Sequence, residues 1–145
     1  MINAFSTRRH TVRTLVLLVG CCLLAVAAAG VGISDNPPGI LLAFLAATVF
    51  VLAFVHPWKA SKQFTRLLAW SALGIIAFAV LHNVFEAIAS DLGGRGVLYG
   101  VLNGIGGALF LFALIVCPMG LLVGAIGATV MLRREHKSQT SAPSV

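Results

Sequence analysis

Four histidines, four acidic side chains and three cysteines carry most of the chemistry open to this 145-residue chain. One group of them is spaced so that its members meet. In His82-Asn83-Val84-Phe85-Glu86 the imidazole and the carboxylate stand four residues apart, which is one helical turn on one face. Ser71 falls on the same face, about three turns earlier. A histidine–carboxylate pair in apolar surroundings can relay a proton, hold a cation, or orient the imidazole as a ligand. His82, Asn83, Glu86 and Ser71 are therefore the candidates for ion or proton binding, with no catalytic residue and no resident metal expected. The competing reading is a polar cluster that only bonds to neighbouring helices. Depth favours it, because Glu86 lies about 28 Å along a helix begun at Leu67, near the far edge of a 30 Å hydrocarbon core.

The remaining reactive side chains do not form motifs. Cys21 and Cys22 are adjacent and Cys117 is remote. Without Cys-x-x-Cys or a clustered His/Cys set they read as small apolar residues. Cys117 and Met119 offer a copper ion two soft ligands and no third. His56 and His82 belong to opposite ends of their segments and cannot share one haem iron within a single chain, while His10 and His136 fall outside the apolar runs. Gly104-Ile105-Gly106-Gly107 has the composition of a nucleotide loop but sits inside an apolar run, where helix packing explains it better. No cofactor is expected.

The elements that must hold these residues follow from composition. Apolar residues make up 59% of the chain, charged ones 10%, and the mean hydropathy is +1.02. That is too apolar for a water-soluble domain, which must cover its surface with polar side chains. A cytosolic enzyme, a disordered chain and a disulfide scaffold are all excluded. A helix needs about 20 apolar residues to cross a bilayer, and four runs qualify: residues 14–33, 40–56, 67–89 and 107–132. Strands are rejected because open strands cannot span lipid and the runs do not alternate. Asp35-Asn36-Pro37-Pro38-Gly39 separates the first two runs, with Asn36 as N-cap and proline in the first turn. Pro57 ends the second, Ser61 can cap the third, and a glycine-rich turn at residues 91–96 precedes the fourth.

The run from 97 to 132 is too long for one crossing and too short for two. It is read as a short outer interfacial segment, residues 97–103, followed by a long helix kinked by Pro118. The pairs Gly100/Gly104 and Gly120/Gly124 have the four-residue spacing of close helix approach, within the bundle or between copies.

Charge sets the orientation. Every Lys and Arg except Arg95 flanks the first run, the middle loop or the end of the last run. The positive-inside rule then puts the tails, residues 1–13 and 133–145, and the middle loop in the cytoplasm. The net charge of +6 is read as this topology signal plus attraction to anionic lipid, not as nucleic-acid binding. Residues 1–29 also resemble a cleavable signal peptide, with small residues at 25–29, but the apolar run exceeds a usual signal core and is read as a permanent helix. Leu18-Val19-Gly20-Cys21 imitates a lipoprotein box that would leave a mature chain still beginning in apolar sequence.

The expectation is one domain, an all-α integral membrane four-helix bundle of the inner membrane with both termini inside. Its function is expected to be non-enzymatic: an accessory or scaffold module packing with itself or a larger membrane complex. The alternative is an oligomeric transporter or channel that uses the His82/Asn83/Glu86 face for protons or a cation.

Overall fold

The computed structural model describes residues 2–33 and 36–140, and side chains from 10 to 33 and from 36 to 138. Asp35 of the first turn, the side chains of Arg8 and Arg9, and tail residues 141–145 lie outside the described residues. The chain is all-helical: α1 (Ile2–Val31), α2 (Pro37–Val55), α3 (Ser61–Asp91), α4 (Val97–Leu111), a π-helical turn (Phe112–Val116) and α5 (Cys117–Thr140). The last three form one continuous rod. Four segments are long and apolar enough to cross a membrane: His10–Val31, Pro37–Val55, Ser61–Asp91 and Val97–Ser138.

Local chemistry sets the turns. α1 ends where Gly32 takes a φ of +90°, and the Asn36 carboxamide donates back to the Val31 carbonyl at 2.8 Å. Asn36 is the N-cap of α2, but its side chain closes the end of α1 instead of capping its own helix. Pro37 sits in the first turn of α2, where its missing N–H costs nothing. The N-cap of α3 is Ala60, so Ser61 is the first helical residue and not the cap that the sequence suggests, and Gln63 Oε1 accepts from the amides of Lys59 and Ala60. The turn after α3 needs the left-handed backbone of Gly93 and Gly94.

The helices pack in a row rather than a ring. α1 lies along α2, α2 meets the middle of the long rod, and the rod lies along α3 for most of its length. Two buried clusters hold the row together: Ala28, Ala43, Ala47 and Ile115 form one, and Val51, Val55 and Phe64 form another. A Cβ on Gly39 would overlap the Gly32 carbonyl oxygen, so glycine lets α2 start against the end of α1.

Two further details differ from the sequence reading. Residues 97–103 are not a separate segment but the first two turns of α4, continuous with the rod. The glycines at 104, 106 and 107 do not break it, because backbone groups in an apolar run have no better partner than the helix itself. At Pro118 the irregularity is a π-turn immediately before it, in which the Cys117 amide donates to the Phe112 carbonyl five residues back. Proline lacks an amide hydrogen, and its ring crowds the carbonyl four residues earlier. A widened turn at that point absorbs both faults.

Candidate functional site

α3 and the rod run antiparallel, and their register decides what each polar side chain meets. His82 faces Gly106, whose missing side chain leaves its carbonyl open: His82 Nδ1 lies 2.9 Å from the Gly106 oxygen. A carbonyl only accepts, so Nδ1 is the donor and holds the ring proton. The ring packs beside Phe110, centroids 5.0 Å apart. Its other nitrogen, Nε2, stands 3.5 Å from Glu86 Oε2. With Nδ1 already protonated, that contact becomes a charged hydrogen bond only when Nε2 gains a second proton. His82 Nε2 and Glu86 Oε2 thus form an open pair, the candidate seat for one proton. The seat opens outward, since the histidine side chain is 23% exposed and the glutamate side chain 65%.

The other sequence candidates do not join it. Asn83 is exposed and donates to the Ala79 carbonyl of its own helix at 2.7 Å. Ser71 is buried, but eleven residues of helix put it about 16 Å from His82, opposite Gly120. A Cβ on Gly120 would overlap the Ser71 hydroxyl, and one on Gly124 would come within 3.0 Å of the Leu68 amide and 3.1 Å of the Phe64 carbonyl. These glycines hold the rod against α3. Nothing lies within 4 Å of a Cβ built on Gly100 or Gly104. That pair faces open space at the far end of the rod.

Two constellations bring together residues that the sequence reading kept apart. At the end that carries the termini, Glu135 accepts from the Ser61 amide at 3.1 Å and from the Ser61 hydroxyl at 2.8 Å. The carboxylate sits on the N-terminus of α3, where unpaired amides and the helix dipole favour negative charge. The Ser61 amide, and after it the hydroxyl, hold the Glu135 carboxyl below its ordinary pKa. Glu135 follows Arg133 and Arg134, beyond the apolar run. At the same end, His10 of α1 and His56 after α2 place their rings side by side. Both had been placed outside any site. The signal that finds them is hairpin arithmetic: His10 and His56 are equally distant in sequence from Ile33, at the turn.

Among the described residues, no three His, Cys, Asp or Glu side chains cluster as a metal centre. An apolar recess of about 340 Å³ lies where α1, α2 and the π-turn meet, with Cys21, Ala25, Ala47, Phe50 and Phe112 in its walls. Comparison with family models, with curated proteins and with solved structures finds no match to this chain.

Proposed function

We propose that this chain is a small multi-pass protein of the inner membrane, with both termini cytoplasmic. In this reading it works without catalysis, as an accessory or scaffold module that packs with copies of itself or with a larger membrane complex. The observation that carries the reading is the use made of polar groups inside the spans. His82 spends Nδ1 on the Gly106 carbonyl across to the rod. Asn83, Thr48 and Thr129 bond to carbonyls within their own helices. His82 thereby fixes a contact between helices, and the other three turn their bonded donors to their own helices rather than to an aqueous path. The basic loops suit anionic headgroups at the cytoplasmic face, so lipid rather than nucleic acid is the charged partner.

A second reading rests on the proton seat between His82 Nε2 and Glu86. Copies arranged around a symmetry axis could turn those seats inward, as an oligomeric transporter or channel for protons or a cation. Purification in mild detergent followed by mass measurement separates the two. A larger co-purifying complex, or a loose self-association, supports the module. A homo-oligomer of fixed number whose proton flux is lost in Glu86→Gln overturns it.

A further inference from the structure

Two imidazoles meet where α1 and α2 come together beside the α1 start, and the reading above gives them no task. The rings of His10 and His56 have centroids 5.7 Å apart and are tilted by 41°. They border one recess of about 340 Å³ together with Thr11, Thr14, Leu15 and Leu18. His56 is oriented by its own helix, since its Nδ1 lies 3.1 Å from the Ala53 carbonyl oxygen. That carbonyl can only accept, so Nδ1 carries the proton and the lone pair is on Nε2. Nε2 is buried and has no hydrogen-bond partner among the described residues. A buried acceptor left without a donor costs free energy. An imidazole tied through one nitrogen to a backbone carbonyl is also the form in which histidine ligates metals. The second imidazole stands at a suitable range, because two histidines on one ion, with metal–nitrogen bonds of about 2.0–2.1 Å, put their ring centres roughly 5–6.5 Å apart.

We propose that His10 and His56 form a two-imidazole site for a borderline divalent transition-metal cation such as Zn²⁺ or Cu²⁺, with water in the remaining positions. Imidazole nitrogens select such ions over Ca²⁺ and Mg²⁺, which want oxygen ligands. With no third protein ligand clustered among the described residues, the site is open and exchangeable rather than a closed structural centre. His10 is exposed and gives the ion its way in. Arg13 and Lys59, each three residues beyond one of the histidines, are exposed too, so water and salt screen their repulsion of a cation. The ion would clasp α1 to α2 at the end farthest from their turn. Among the described residues α1 packs along α2 and has no other extended neighbour, so the clasp bears on how firmly that helix is held.

The test is calorimetric titration of zinc chloride into the full chain in mild detergent, with His10→Gln, His56→Gln and His82→Gln beside it. One zinc per chain is expected. Affinity should fall about tenfold or more in each of the first two variants and stay unchanged in the third. All three variants keep the thiols and His136, so loss of binding in the first two points to the histidine pair. A second readout does not depend on variants. With accessible thiols alkylated, the electron paramagnetic resonance spectrum of bound Cu²⁺ should show two imidazole nitrogens, and this spectrum decides if a variant misfolds. Zinc affinity that survives both substitutions, no saturable binding up to millimolar zinc, or a copper spectrum without an imidazole pair would overturn the proposal.

Discussion

His82 shows how one proton position decides what a side chain can do. Its Nδ1–H is committed to a backbone carbonyl, so only Nε2 is left to face Glu86. If the pair serves packing, His82→Gln should be mild, because an amide can still donate to Gly106. A polar contact between membrane helices is worth only about 0.6 kcal/mol on average. Glu86→Gln should be nearly silent, and the double variant should add the two effects. Thermal midpoints in detergent measure this, and a double variant no worse than either single one would instead make the two residues a working unit. Glu135 gives a prediction in pH. Its carboxyl is held below the ordinary range by Ser61, so the contact stabilises the fold above the unfolded-state pKa and is lost as pH falls through the lowered folded-state value. The difference in midpoint between the unaltered chain and Glu135→Gln should therefore be present at neutral pH and vanish in acid. A difference that is constant with pH would assign it to something other than the carboxylate's charge.

The helices themselves were legible before any coordinates, because an apolar run long enough to cross lipid leaves the backbone no alternative to a helix. What each glycine does was not legible. Gly100/Gly104 and Gly120/Gly124 have the same spacing, yet one pair faces open space and the other touches α3. Spacing puts two glycines on one face, while the register of the hairpin decides what that face meets. Gly124→Ala should destabilise by about 1–3 kcal/mol, because its Cβ would press on α3 backbone atoms that cannot rotate away. Gly104→Ala should be neutral, or stabilising by up to about 1 kcal/mol through helix propensity. Denaturation of both variants in mixed micelles ranks them, and equal losses would contradict the register. The irregularity near Pro118 could be foreseen from sequence, but its form as a π-turn could not. Proline marks where the amide is missing, and neighbouring contacts determine how the carbonyl before it is accommodated.

Across the whole molecule, sequence and structure speak to different questions. Orientation is written only in charge: all basic residues but Arg95 lie toward one end of the helices in a four-span path. Reporter fusions at Lys62 and in the C-terminal tail are expected to read cytoplasmic, and a fusion near Gly94 external. A tail mapped outside would sink the four-span path. Neighbour order is the reverse case. Hydropathy finds four segments but says nothing of which touches which, and the row of α1, α2, rod and α3 emerges only from packing. That row divides the chain at residues 57–60 into two antiparallel pairs, each with its own short turn and each buried mainly against its own partner. The pairs share the contacts of α2 with the rod and the buried cluster in which Val51 and Val55 of α2 join Phe64 of α3. Two separately translated halves, cut at that loop and co-expressed, should each enter the membrane and find one another to rebuild the assembly. Co-purification of a tagged first half with the untagged second is the readout, and degradation of both halves would show that the connecting loop does more than join them.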